Sequence, residues 1–333
     1  MGAGITSGEC SEQDTFNISR EKVSDWIYTP TDTVIITIII PITWCLGVIN
    51  NSTFLFVMLR VPKLRTDTFL YLAHMALADL LFLNLASILY IWRYTASVVV
   101  FHDPFVNSAQ CITFFVVAQT GYFASLALVT MVTFERYLAL CHPIKHRTIR
   151  GRRRTHRMIS ICWLVGLLVA IPSTVMLSDL KLLCLNWPDD EAYVYQDYPS
   201  TSTYCDIIVP WAGYFMPPMR NFPWLFSLAA NIYMYMRILK TLSKRSGRGG
   251  IVNNDPNALK IRNQVAKMLI VNGTVSFLCQ TPYCIMNLAE WICFYAQIPN
   301  PLWNILGKNS IVIYRVLLYI NTIINPLIYM IYG

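Results

Sequence analysis

Seven long apolar segments run through this chain, and they constrain its fold more than any other feature of the sequence. A helix that crosses a bilayer needs about 20 mostly apolar residues, because hydrocarbon offers the backbone no hydrogen-bond partners. Hydrophobic residues make up 55% of the chain and charged residues 13%, a composition that would leave a soluble domain with too much apolar surface. The sequence therefore predicts an all-α membrane protein, a seven-transmembrane helix bundle with helices at 33–60, 66–94, 108–140, 155–177, 207–242, 260–294 and 301–332.

The positions of Lys and Arg predict the orientation of this bundle. Basic residues cluster between segments one and two, three and four, and five and six, and Arg152-Arg153-Arg154 is the densest run. Because basic residues are retained on the cytoplasmic side of short loops, these connections are expected inside and the N-terminus outside. Beside a membrane, such runs attract anionic lipid headgroups, and we favour this interpretation over nucleic-acid binding.

The predicted organisation is an extracellular N-terminal segment, residues 1–32, followed by a transmembrane domain, residues 33–333. Asn17-Ile18-Ser19 is a glycosylation acceptor pattern that suits an external segment. The sequence stops at Gly333, directly after segment seven and without an amphipathic eighth helix, so we expect a chain truncated before that helix.

Several short motifs occur in a fixed order along the segments. They are Asp79 in segment two, Glu135-Arg136-Tyr137 at the end of segment three, Trp163 in segment four, Pro282 in segment six, and Asn325-Pro326 with Tyr329 in segment seven. Together they resemble the rhodopsin-like (class A) G-protein-coupled receptors across nearly the whole chain. The resemblance implies a multi-pass receptor of the plasma membrane that binds an extracellular ligand and activates heterotrimeric G proteins.

A charged Asp79 inside the membrane requires partners. The resemblance assigns this role to Asn51, Ser125, Asn321 and Asn325, whose oxygens with that of Asp79 suit a sodium ion. The alternative is a water-filled network around a protonated Asp79. Apart from this structural sodium ion, no cofactor is expected.

The resemblance also assigns roles in activation. Arg136 leaves its neighbour Glu135, helps to form the surface that receives a G protein, and gains Tyr329 and Tyr233 as hydroxyl partners. Pro282 removes a backbone hydrogen bond and kinks helix six. Gln280 departs from the family pattern, which has a tryptophan at this position, and this change leaves open how ligand contact reaches the kink.

Cysteine placement indicates bridges on the oxidising outer face. The family tethers the top of helix three to the second extracellular loop, and the resemblance assigns this bridge to Cys111. Its partner is Cys205 or Cys184, and we favour Cys205 because Cys184 follows Trp163 so closely. Cys10 with Cys184, or with Cys293, remains open as a second bridge.

Comparison of the outer half of the bundle with the family disfavours two ligand classes. Amine receptors place an aspartate where this chain has Ala118, and light-sensing members place a lysine near the depth of Tyr319. The acidic loop at 178–206 would steer a cationic ligand, although a merely solvated loop is equally consistent with its composition.

A peptide is the expected ligand, with a lipid or another non-peptide ligand as the alternative. Glu290 suits a basic ligand side chain, and Arg315 suits a carboxylate or a carbonyl. Ordinary helix packing is the competing explanation for each aromatic residue. The predicted pocket residues are Tyr90, Trp92, Gln119, Tyr122, Tyr283, Asn287, Glu290, Arg315 and Tyr319.

Tyr283 with Arg315, and the run from Phe134 to Pro143, resemble the neuropeptide receptors of the thyrotropin-releasing-hormone, neuromedin U and ghrelin type. Nothing in the sequence indicates an enzyme, since phosphate loops, nucleophile elbows and metal pairs are absent from it. A transporter or channel is a remote alternative, because it would also carry intramembrane carboxylates, but the segments show no inverted repeat.

Overall fold

The fold is a bundle of long helices, as seen in a computed structural model that describes residues 10, 14–62, 66–174, 179–188, 192–206, 211–247, 256–302 and 310–332. Within these residues the long helices number seven. They are α1 Pro30–Arg60, α2 Asp67–Ala96, α3 Ser108–Cys141, α4 Arg152–Thr174, α5 Ala212–Gly247, α6 Pro256–Ala296 and α7 Ser310–Tyr332. The expected ends at 177 and 207 fall on residues 175–178 and 207–210, which lie outside the described part of the chain; residues 301 and 302 are helical, and 303–309 are likewise outside it.

The surface of the bundle has the character expected of a protein in lipid. Among the described residues, five helical stretches are long and apolar enough to cross a membrane: α1 to α4, and Gln264–Ala296 of α6. α5 falls below that apolarity, yet it still exposes Phe222 and Phe226, one turn apart, by 60% and 76%. Large apolar side chains exposed in this way are unusual against water and ordinary against hydrocarbon.

α3 lies at the centre of the bundle, packed against α2, α4 and α5, while α7 packs against α6 and α1. Glycines allow the closest approaches. A Cβ atom on Gly166 of α4 would lie 2.8 Å from the backbone nitrogen of Ala124, and one on Gly121 would lie 2.9 Å from the carbonyl oxygen of Ala78. Small residues at helix contacts are typical of membrane bundles, where close packing replaces the hydrophobic effect between helices.

Capping explains where α1 begins. Thr29 and Asp32 form a reciprocal capping box, in which Thr29 Oγ1 accepts from the Asp32 N–H at 3.1 Å and Asp32 Oδ2 accepts from the Thr29 N–H at 2.9 Å. Pro30 occupies the first helical position, where its missing N–H costs nothing. The helix therefore starts three residues before the position predicted from the length of the apolar segment, and one π turn follows at Ile35–Ile39.

One end of the bundle carries a small sheet that the sequence did not predict. β1 Thr15–Asn17 pairs in parallel with β2 Asp179–Asn186, which pairs antiparallel with β3 Thr201–Asp206. Two disulfides fix this sheet end, as we call it: Cys111–Cys205 joins α3 to β3, and Cys10–Cys184 joins the N-terminal segment to β2. Cys293, the other candidate partner of Cys10, is a free buried thiol.

The sheet carries the predicted glycosylation residue. Asn17 is exposed in β1, and its side-chain oxygen accepts from the Asn186 amide at 2.9 Å.

The opposite end of the bundle, named here the Arg136 end, also differs from the sequence prediction. A short helix, Pro143–Ile149, connects α3 to α4, and α4 includes the basic run at 152–154 in its first turn rather than in a loop.

Candidate functional site

A cavity of about 240 Å³ opens within the bundle beside the sheet end. Its wall includes Leu89 and Phe114, which pack in one cluster with the Cys111–Cys205 bridge. Six of the predicted pocket residues line it: Tyr90, Gln119, Tyr122, Tyr283, Arg315 and Tyr319. Aromatic rings also form part of the wall, since the Phe82 ring lies 5.7 Å from that of Tyr122 and 6.0 Å from that of Tyr319.

Three predicted pocket residues lie outside this cavity lining. Trp92 is a correction, because it sits on the outer face of α2, 42% exposed, with its ring edge-on to Phe105 at 5.8 Å. Asn287 is buried, and its amide donates to the Tyr283 carbonyl of its own helix at 2.8 Å. Glu290, one turn further along α6, is also absent from the lining.

Arginines from three helices line the cavity, and two of them are residues that the sequence analysis did not single out. Arg93 of α2 and Arg220 of α5 join Arg315 of α7. Arg315 donates to the Tyr90 hydroxyl, and its guanidinium carbon lies 5.4 Å from the centre of the Tyr90 ring. The rule that singled out Asp79, that charge inside an apolar segment has a function, would have found Arg220 as well.

Arg93 is neutralised by an acidic residue outside the cavity. Its Nε donates to Asp103 Oδ1 at 2.8 Å. Asp103 Oδ2 in turn accepts from the Cys205 N–H at 2.9 Å, so the pair connects α2 to β3 beside the disulfide. His102 accepts from the Thr203 N–H at 3.4 Å, and burial lowers the pKa of this imidazole below its usual value.

A hydrogen bond connects the cavity to the proline of α6. The Tyr122 hydroxyl donates to Gln280 Oε1 at 3.2 Å, and both side chains are buried. Gln280 lies two residues before Pro282, which is inside α6. The amide thus has a specific contact with α3, two residues before the proline of α6.

Asp79 lies deeper in the bundle with two of its predicted partners. Ser125 Oγ donates to Asp79 Oδ1 at 2.7 Å, and the Asn325 amide donates to Asp79 Oδ2 at 2.8 Å. Two further amide oxygens, Asn51 Oδ1 and Asn321 Oδ1, are buried without a hydrogen-bond partner among the described residues. Carboxylate, hydroxyl and amide oxygens are the ligand types that a hard cation such as sodium prefers, but the Asn325 oxygen accepts from Ser276 at 3.2 Å and its amide nitrogen faces Asp79.

The Glu135-Arg136-Tyr137 motif forms the end of α3, but its two charged residues bind to different helices. The Arg136 guanidinium donates to the Thr68 hydroxyl of α2. Glu135 pairs with Arg154 of α4, at 2.6 Å between Oε1 and the guanidinium, and lies 3.8 Å from His146. Glu135 is therefore engaged across the α3–α4 contact, and the release of Arg136 from Glu135 on activation stays a prediction.

The tyrosine expected on α5 lies on the opposite face from the bundle interior. Tyr233 is 53% exposed, with its ring 6.2 Å from that of Tyr137. Tyr235 takes the interior position: its hydroxyl lies 3.3 Å from Thr133 Oγ1 and donates to the Leu269 carbonyl at 3.4 Å. Gly273 of α6 makes room for this hydroxyl, because a Cβ atom there would overlap it.

Motif residues of α7 lie beside Asp79 and one turn further along the same helix. Pro326 is inside the helix, directly after Asn325, which bonds to Asp79. Tyr329 is buried one turn further on, and its hydroxyl contacts Met75 Sδ at 3.8 Å. Tyr329 therefore packs against α2, and its part in activation stays a prediction.

Comparison with known proteins agrees with this geometry. Mouse somatostatin receptor type 2 is 26% identical over 309 residues, covering 91% of this chain and 74% of that receptor. Mouse neuromedin-U receptor 2 is 25% identical over 312 residues, 88% and 71% of the two chains, and mouse lysophosphatidic acid receptor 4 is 25% identical over 292 residues, 86% and 71%. The family model described as 7 transmembrane receptor (rhodopsin family) matches residues 50–329. This chain therefore belongs to the rhodopsin family of seven-transmembrane receptors.

Proposed function

We propose that this receptor binds an extracellular peptide at its sheet end and activates a heterotrimeric G protein at its Arg136 end. Family membership already makes the chain a multi-pass plasma-membrane receptor and not an enzyme. The basic run at 152–154 supports the orientation, since it lies at the Arg136 end, which the retention of positive charge puts in the cytoplasm. The names of the somatostatin and neuromedin-U relatives support a peptide ligand.

One observation carries the proposal: the cavity and the Glu135-Arg136-Tyr137 motif lie at opposite ends of one bundle, with buried polar contacts between them. A ligand in the cavity meets Tyr122, which bonds to Gln280 beside the α6 proline. A ligand that favours an altered position of α6 shifts the population towards it by the difference of its affinities for the two states. The α6 shift then changes the surface around Arg136.

Two further assignments belong to this proposal. Asp79, Ser125, Asn321 and Asn325 are proposed to hold a sodium ion, on the support of the Ser125–Asp79 contact and of the Asn321 amide oxygen, which is buried without a hydrogen-bond partner among the described residues. Asn17 is proposed to carry a glycan, because it is exposed and lies on the end of the bundle assigned to the outside.

The test is a signalling screen in cells that express the chain, using a peptide library and reading calcium and cyclic AMP. A peptide response that disappears in Arg136→Ala is the expected result. Arg150→Ala is the matched control, since Arg150 lies at the same end, is 66% exposed and pairs only loosely with Asp67 at 3.6 Å. Surface expression of each variant is measured alongside. A peptide response that survives Arg136→Ala contradicts the assigned coupling surface.

A lysophospholipid is the second candidate ligand. It is favoured by the lysophosphatidic acid relative, and by the arginines of the cavity, which also suit a phosphate. The same signalling assay distinguishes a lipid ligand from a peptide ligand. If lysophosphatidic acid elicits the Arg136-dependent response and no peptide does, the ligand is a lipid and the peptide proposal fails.

A further inference from the structure

The cavity contains more positive charge than the protein itself neutralises. Arg93, Arg220 and Arg315 line it, and none of the described residues that line it is Asp or Glu. Asp103 neutralises Arg93 through an ion pair. The ion pairs found among the described residues include none for Arg220 or Arg315, so two cationic side chains face the cavity without an acidic partner.

The hydrogen bonds of these two arginines are also incomplete. Arg220 Nε is enclosed and has no hydrogen-bond partner in the described part of the protein. Arg315 donates to the neutral Tyr90 hydroxyl and stacks on that ring, which orients the guanidinium without neutralising it. A charge removed from water costs several kcal/mol unless it is paired, so such an arrangement is expected where a ligand supplies the missing anion.

We propose that the ligand of this cavity presents an anionic group to Arg220 and Arg315, and that this group is the free C-terminal carboxylate of the peptide. The proposal rests on the peptide function proposed above. A carboxylate fits the forked donors of a guanidinium, and an amidated C-terminus brings no negative charge. The shared chemistry, an anion held by two guanidiniums, would also suit a lipid phosphate.

The remaining wall indicates which part of a peptide enters. Phe82, Phe114, Phe115 and Leu318 supply apolar surface. The volume of about 240 Å³ is below the roughly 300 to 1,000 Å³ typical of drug-sized ligands. The cavity therefore holds one terminal residue with an apolar side chain, while the rest of the peptide lies towards the sheet.

The test uses fragments that copy such a terminus. Thermal unfolding of the purified receptor is followed with 20 mM N-acetyl-phenylalanine, and with the neutral N-acetyl-phenylalaninamide, which has nearly the same shape. The acid is expected to raise Tm by about 2 °C, the shift of a ligand present at about ten times its Kd, and the amide by much less. Equal shifts for acid and amide, or no shift with the acid, overturn the proposal.

Variants then identify the residues. R220Q and R315Q are expected to lose the shift given by the acid, while R220K, which keeps the charge, retains most of it. K181Q is the matched control, because Lys181 pairs with Asp206 at 2.6 Å in the sheet, outside the cavity lining. An acid shift that persists in both glutamine variants overturns the assignment. The comparison of acid with amide on the unaltered receptor does not depend on any variant folding.

Cell signalling separates this inference from the peptide proposal. Peptides from the library are tested as matched pairs, free acid and C-terminal amide, with lysophosphatidic acid as a third arm. If the free acids are at least tenfold more potent than their amides, the result supports both the peptide function and the anion site at Arg220 and Arg315. Amides of equal potency, unaffected by R220Q and R315Q, keep the peptide function and overturn the anion site. A response to lysophosphatidic acid alone keeps the anion site and overturns its peptide occupant.

Discussion

The hydrogen bond between Tyr122 and Gln280 can be measured as a coupling energy, and this prediction tests the link between the cavity and α6. Tyr122→Phe removes only the hydroxyl and leaves Gln280 Oε1, which is buried, without its donor at 3.2 Å. An unsatisfied buried acceptor costs about 1 to 3 kcal/mol, and a Tm decrease of several degrees is expected from a loss of that size. Gln280→Met, which removes the acceptor, is expected to cost a similar amount.

The double variant decides whether the two residues act together. Replacing both partners by apolar groups of similar shape is nearly neutral, so Tyr122→Phe/Gln280→Met is expected to be no less stable than the worse single variant. The coupling energy would then be about 1 to 2 kcal/mol. Thr281→Val is the control partner, because its hydroxyl bonds to the Phe277 carbonyl of its own helix at 2.7 Å. Its effect should add to that of Tyr122→Phe.

The assay is thermal unfolding of the four purified proteins without ligand, repeated for the control cycle. If the effects of Tyr122→Phe and Gln280→Met add to within about 0.5 kcal/mol, the contact carries no coupling and the link from cavity to kink is refuted. Signalling provides the second measurement. The potency of an agonist should fall in either single variant by up to about tenfold, the equivalent of 1.4 kcal/mol, and the double variant should be no weaker than either.

Three further predictions follow from other contacts. Sodium in place of choline should raise the Tm of the purified receptor, and Asp79→Asn should abolish this difference because it removes the only carboxylate of the predicted ion site. Replacing Cys10 and Cys184 together by serine should destabilise the sheet end by about 2 to 4 kcal/mol, and cleavage of the N-terminal segment by added protease should become faster. Burial lowers the folded-state pKa of His102, and Asp103 opposes this effect. The neutral imidazole therefore contributes stability at a pH above the unfolded-state pKa of about 6.5. This stability is lost as the pH falls through the lower folded-state pKa. Tm measured from pH 8 to pH 5 should therefore decrease less in His102→Gln than in the unaltered receptor.

The sequence predicted those features of the fold that depend on local chemistry. Apolar length located the helices, and a motif order gave the family, because both signals lie within single segments. The sheet could not be predicted in this way, since β1 and β2 are about 170 residues apart and are held by the Cys10–Cys184 bridge. Neither strand has a pattern strong enough to indicate pairing across such a separation.

The functional residues also divide into those that the sequence placed correctly and those that it did not. Asp79, Ser125 and Asn325 meet as the family resemblance implies, because each lies on a regular helix whose register a motif fixes. Tyr233 was placed on the wrong face of α5, where several prolines precede it and obscure the register. The spacing of Ser227, Asn231 and Tyr235, four residues apart, was the available signal, since all three are buried on one face. Such a polar stripe in a membrane helix faces the bundle interior.

Burying a polar atom without a hydrogen bond costs free energy, so the polar atoms that lack a partner in the described part of this receptor need an explanation. In this bundle, which lipid surrounds, several buried polar groups have a partner, as Tyr122 does in Gln280 and Asp79 in Ser125. The exceptions include Arg220 Nε at the cavity and the amide oxygen of Asn321 in the segment that also carries Asn325. One is a donor that suits an anion, and the other is an acceptor that suits a cation. An anionic ligand in the cavity would satisfy Arg220, and a cation beside Asp79 would satisfy the amide oxygen of Asn321.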